Sequence, residues 1–394
     1  MNIHSRCVLL FVAGMMLAVG RASMAAGPNP WTIHSFCAQR AHGICLDGSN
    51  SAGGSLMRGP NGSYYGITYA GGIQAKGYDQ GGGEVYRIDG RTGRFSVLYQ
   101  FDPVLDGYGP TSLQVGSDGN LYGTLGGSLH GLGCVFRLSP TGTFTLVHAF
   151  SPGEVSGRLF PLAEDSQGNW YGAAYGGSSD NGEIYKISPD GSYTLVHQFD
   201  GSDAHPDARL LLASDGNFYG TTDAPLDAGT IFRMTPDGSI KTMLVFELIS
   251  EGYSPGALTG GPDGALYGAT AYGASNGEGT IFRMTLDGHF SVLHVFSEPG
   301  QPGPLGPSML TFMPDGNLYG VGMRGGNSGA GMIYRIDPSG TYTRLYSFTK
   351  QRASGFSPGS ALVPGFDGAL YGITDAGGRF KNGIAYRYVL PAAQ

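Results

Sequence analysis

Two segments carry the Gly-x-Ser-x-Gly pattern of a hydrolase nucleophile, GYSPG at 252–256 and GFSPG at 355–359. A nucleophilic serine needs that pattern at a strand-to-helix elbow, with an acid and a base in reach. Here Pro follows Ser in both copies, and both precede a β-strand at the same point of a repeating pattern, so a structural turn is expected. His34, His148, His197 and His294 fall two residues before a recurrent Phe, where Tyr99 and Tyr346 stand in other units. Residues at one repeat position on separate units lie far apart, which makes them packing or surface groups and not a metal set. Arg87, Arg137, Lys186, Arg233, Arg283, Arg335 and Arg387 each follow a recurrent aromatic. Such a ring of cations suits an anion, but pairing with turn carboxylates such as Asp118 or Asp215 is the expected role. The glycine-rich GGNSGAG (325–331) lacks the Lys-Ser/Thr of a phosphate loop and leads into a strand.

Chemistry is better sought where the units differ, because variable loops carry most binding sites. Asp200, Asp203, Asp207, Asp223, Asp227, Glu247 and Glu251 make some loops acidic, whereas Arg324, Lys350, Arg352, Arg379 and Lys381 make later ones basic. Tyr78, Tyr108, Tyr253 and Phe356 add aromatic surface. DGSDAHPD (200–207) sets three carboxylates beside His205 without completing a calcium-loop pattern. The candidate ligand-binding residues are therefore Tyr78, Asp79, His130, Asp203, His205, Tyr253, Arg324, Arg352, Arg379 and Lys381. An enzyme, such as a metal-assisted lactonase or lyase, requires convergence of groups such as Asp79, His130, Asp180, Asn181, Asp223 and Asp375. No catalytic residues, metal ligands or cofactor are assigned.

These side chains are carried by a repeat. Tyr-Gly occurs at Tyr65, Tyr122, Tyr171, Tyr219, Tyr267, Tyr319 and Tyr371, each three residues after a turn glycine. A strand-like triplet with an aromatic centre follows, from VYR at 85–87 to AYR at 385–387, then a second turn. In six units a Phe falls eight residues after that second turn's Gly, from Phe101 to Phe348. Asp-Gly and Asn-Gly turns supply the positive φ of tight hairpins, and fixed spacing on both sides reflects cross-strand register. Four short strands at a period near 50 residues predict a β-propeller blade.

The seventh unit stops at AYRYVLPAAQ with no fourth strand, whereas WTIHSF (31–36) stands alone near the front and ends in Phe36. The expected fold is an all-β, seven-bladed propeller closed by this N-terminal strand. CAQRAHGIC (37–45) would then hold the seam through a Cys37–Cys45 disulfide. A metal pair is the competing reading, but no second pair completes a zinc site. The Tyr-Gly glycine is expected to let adjacent sheets approach. Cys134 reads as a small buried thiol.

The segments FYGTTDAPLDAGTIFRMTPDGS (218–239) and LYGATAYGASNGEGTIFRMTLDG (266–288) resemble the GloVer tandem repeat of bacterial exported "choice-of-anchor" proteins. The resemblance spans residues 54–390 and implies an exported repeat protein with no activity to carry over. This chain departs from the pattern in that no sorting tail or anchor is expected after the last blade.

Residues 1–26 read as a signal peptide, with His4 and Arg6 ahead of the apolar VLLFVAGMMLAV (8–19) and cleavage after Ala25 or Ala26. Residues 27–394 then form one propeller domain, secreted or periplasmic, with no further membrane span. A net charge of −7 with 13% charged residues gives no basic surface for nucleic acid. The resulting expectation is a monomeric, non-catalytic propeller that binds a carbohydrate or protein on its variable-loop face. A lactonase- or lyase-type enzyme and a structural envelope component are the alternatives.

Overall fold

The computed structural model describes residues 30–49, 56–127, 132–155, 157–176, 181–200, 205–206, 209–223, 228–248, 250–273, 277–296, 310–351 and 354–391. Their β-strands form seven main antiparallel sheets in chain order. Blades 1 to 6 span 57–100, 108–149, 163–198, 211–245, 253–295 and 311–347. Blade 7 combines Val363–Pro364, Leu370–Thr374 and Ile384–Tyr388 with the distant Trp31–Ser35. Within each blade the strands run a to d from the inside outward, as Leu211–Leu212, Phe218–Thr222, Thr230–Met234 and Ile240–Val245 do in blade 4.

Closure follows the register of an ordinary blade. In blade 4, Phe232 faces Thr242 and Ile231 faces Leu244, with a bulge between them. In blade 7, Tyr386 faces Thr32 and Ala385 faces His34, again with a bulge. Trp31–Ser35 is thus a fourth strand in the same register as its counterparts. Phe36 then sits fully buried with Tyr64, Tyr86 and Ile88 of blade 1 and Tyr371 and Ile373 of blade 7. The other closing phenylalanines, Phe101, Phe150, Phe199, Phe246, Phe296 and Phe348, are equally buried between blades.

The segment after Phe36 fastens this seam. A Cys37–Cys45 disulfide closes it, with Cα atoms 4.6 Å apart. Buried Asp47 accepts hydrogen bonds from the Ala38 and Gln39 amides, each at 3.0 Å, and lies 2.9 Å from His34 Nε2. Onward contacts run to blade 1, where the Gly72 amide donates to the Cys45 carbonyl and Gln100 Nε2 to that of Leu46.

The Tyr-Gly pair packs differently from the sequence expectation. Gly220 pairs with Phe232 across the same sheet, and a Cβ there would run into the Phe232 ring and not into a neighbouring blade. The same holds for Gly66 with Tyr86, Gly172 with Tyr185 and Gly372 with Tyr386. Glycine is required because the far end of the strand c aromatic ring occupies the space a Cβ would take. Cys134 is fully buried at the start of its strand, and burial pushes its thiol up to about 12. Among the described residues no helix is long and apolar enough to cross a membrane.

Candidate functional site

One end of the ring is built from repeated structural devices. The turn aspartate, the Tyr of Tyr-Gly and the strand c arginine form a local set. Tyr267 Oη donates to Asp263 Oδ2 at 3.1 Å and Arg283 pairs with the same carboxylate at 2.7 Å. Tyr371, Asp367 and Arg387 repeat the arrangement. Tyr122 with Asp118, Tyr219 with Asp215 and Tyr319 with Asp315 supply the hydroxyl–carboxylate half. Against burial, which raises them, hydrogen bonds from Asn120, Asn217, Arg283, Tyr319 and Arg387 hold these turn carboxylates below their usual range. Arg87, Arg283 and Arg387 are thus partners of turn carboxylates.

The strand d residues before the closing Phe are structural as well. His148 Nε2 lies 2.9 Å from Glu154, and Tyr99 donates to Asp106 at 2.8 Å. Those carboxylates also cap loop amides, Glu154 that of Ser151 and Asp106 that of Asp102. Glu251 caps Glu247 in the same way, which accounts for part of the acidic character of these loops. The Gly-x-Ser-x-Gly serines are turn residues with φ of 55° at both Ser254 and Ser357. Their amides donate to the carbonyls of Ala228 and Ala330 of the preceding blade.

The opposite end carries the b–c and d–a loops. There the ends of strand b project Tyr69, Tyr175 and Tyr272, which are 42%, 39% and 43% exposed. Tyr175 stacks on His205 with ring centres 4.7 Å apart, and Tyr253 stacks on Tyr272 at 5.4 Å. Tyr78 meets Tyr108 at 4.8 Å. Ser254 Oγ donates to Asp223 at 3.3 Å, joining blades 4 and 5. Asp375 holds the same place in blade 7 as Asp223 in blade 4, four residues after the repeat Tyr. Its Oδ1 is buried without a hydrogen bond, and burial pushes its carboxyl up to about 6.

The structure thus gathers Tyr78, His205 and Tyr253 into aromatic pairs on one face. Asp79, Arg324, Arg379 and Lys381 are exposed there. Arg379 lies 5.4 Å over its neighbour Phe380. His130, Asp203 and Arg352 lie outside the described residues, as do Asp180, Asp207 and Asp227. Among the described residues no three His, Cys, Asp or Glu side chains come together as a metal set.

Sequence reading missed Arg209. The inner strands of blades 1, 2, 6 and 7, with Pro161 and Arg209 from blades 3 and 4, line a partly open cavity of about 210 Å3. This is the central channel. Arg209 reaches across it, past blade 3, to donate from Nη1 to Gln114 Oε1 of blade 2 at 3.3 Å. Burial lowers the guanidinium pKa. A signal existed: ten residues before each repeat Tyr the units carry Ser55, Ser112, Pro161, Arg209, Ala257, Met309 and Ala361. Only one of these is charged, and Leu follows all seven.

Glu84 and Glu183 begin strand c in blades 1 and 3, and both are buried. Glu84 accepts from Gln100 Nε2 at 2.8 Å, yet its Oε2 has no hydrogen bond. Burial, opposed by that bond and aided by Asp47, pushes its carboxyl up to about 8. Burial likewise raises Glu183 to about 7. The folded protein therefore holds these protons at pH values where the unfolded chain has lost them. Stability should fall as pH rises from about 4.5 toward 8 and level off above it. Thermal melts from pH 5 to pH 9 should show this decline, and Glu84→Gln should flatten it. An unchanged slope in that variant would remove Glu84 as its source.

The repeat described as the Gloeobacter/Verrucomicrobia repeat matches residues 32–228 and, a second time, 204–386. Among solved structures, the extracellular domain of a B. thetaiotaomicron protein described as a hybrid two-component system, BT4673, superposes with a TM-score of 0.58 at 14% identity. The match covers 93% of this chain and 43% of that one, so this chain spans less than half its length. The oligogalacturonate lyase of Vibrio parahaemolyticus superposes with a TM-score of 0.56 at 13% identity, covering 93% of both chains. At such identities the likeness is one of fold. The comparison with curated proteins gives no match.

Proposed function

The chain belongs to the Gloeobacter/Verrucomicrobia repeat family, and from that premise we propose that it is an exported, non-catalytic propeller that binds a carbohydrate on its variable-loop face. The observation that carries this reading is the set of exposed tyrosines at the strand b ends, Tyr69, Tyr175 and Tyr272. Exposed rings offer flat apolar faces to the C–H faces of a sugar, while Asp223 and Asp375 offer acceptors for its hydroxyls. The face is preorganised, since His205 backs Tyr175 and Tyr253 backs Tyr272. Export is supported by the disulfide, a bond that persists in oxidising compartments.

A glycan array probed with the purified protein tests the reading. Glycans that bind the wild type should bind Tyr175→Ala and Tyr272→Ala at least tenfold more weakly, with melting temperatures unchanged because both rings are exposed. Undiminished binding in both variants, or no glycan bound at all, refutes it. Charge reversal at Arg379 reports whether the basic sector of the face takes part.

A further inference from the structure

We propose that the central channel, at its end nearest the variable loops, is a binding site for a small monocarboxylate anchored by Arg209. This goes beyond the glycan reading and does not depend on what the outer face binds. Arg209 stands at the start of an innermost strand, just after the d–a loop that carries His205, so it lies below the rim of that face. Its guanidinium offers five N–H donors, of which one is used among the described residues, on Gln114. Among the described residues it takes part in none of the ion pairs.

A partly buried cation with no ion-pair partner among the described residues is costly, and burial already weakens its hold on its proton. An incoming anion removes that cost. The forked donors match a carboxylate in bidentate geometry. Around it the cavity is lined by neutral donors and apolar surface. Thr111 and Ser112 present hydroxyls tethered to Thr124 Oγ1 at 2.8 and 2.6 Å, and Leu113 and Leu362 supply hydrocarbon. Such walls strengthen an ion pair relative to water. One cation balances one negative charge, so a monocarboxylate is matched whereas a phosphate dianion is half compensated. A volume of about 210 Å3 admits a small acid.

The test uses the whole protein with acetate, inorganic phosphate and chloride at equal ionic strength and pH 7. Acetate should raise the melting temperature saturably, and chloride should not. Arg209→Met should abolish the acetate response while melting at or above the wild-type temperature, since the unpaired charge is gone. Arg209→Lys keeps the charge without the fork, and should shift the acetate midpoint at least tenfold; it serves equally if Arg209→Met does not fold. No saturable acetate response, an unchanged midpoint in Arg209→Lys, or a phosphate response as large as that of acetate each overturns the assignment.

Discussion

Phe36→Ala should destabilise the protein by about 3–5 kcal/mol, as much as the same change at an internal closing position such as Phe199. Both rings are buried to within 1% of full burial. The equality is the informative part, because Phe36 is separated by more than three hundred residues from the blade it completes. Around it, His34 stacks on Phe95 of blade 1 at 3.6 Å and bonds Asp47, so losing strand d also loosens the loop that reaches blade 1. In a ring each blade needs two neighbours, and an open ring leaves the faces of blades 1 and 7 wet. Removing residues 31–36 should accordingly replace one cooperative melt by a broad transition at least 10 °C lower. Circular dichroism melts of the three variants decide it. If Phe36→Ala cost far less than Phe199→Ala, the last blade would not depend on the N-terminal strand.

The blade register was legible because it is local. A turn glycine, a tyrosine three residues on and an aromatic triplet are fixed by strand pairing, which a single unit reveals. Closure was legible for the complementary reason, since an orphan strand and an incomplete unit fit only each other. The site was less legible. Glu251 looked like part of an acidic loop surface and caps the Glu247 amide, as Asp106 and Glu154 cap amides of their own loops, a role set by where a loop folds back. Tyr69, Tyr175 and Tyr272 end strand b inside the repeat and are not among the candidates, yet they are partly exposed because the sheet ends there. Arg209 lies outside the variable loops, where binding residues are expected from sequence. It sits in the most regular part of the repeat, where the charge alone is out of pattern.

Gly220→Ala should cost about 2–3 kcal/mol, far more than its lack of a side chain suggests. Its φ is not in the left-handed region, so backbone strain is not the source. The added methyl would meet Phe232 Cε1 at 2.7 Å and Leu210 Cδ2 at 3.1 Å, besides overlapping the ring's Cζ. Phe232 cannot yield easily, because it is 1% exposed and packs edge-on against Phe199 at 5.7 Å in the interface between blades 3 and 4. Gly216 provides the contrast within the same blade. It has a φ of 79° and open space around its Cα, so Gly216→Ala bears only the backbone penalty of about 1–2 kcal/mol. The two sources separate in a double-mutant cycle. Phe232→Leu removes the edge that the methyl strikes, so Gly220→Ala combined with Phe232→Leu should be less destabilised than the sum of the single changes by about 1 kcal/mol or more. Strict additivity would mean that the glycine serves the backbone and not the ring, at this position and at the six others built the same way.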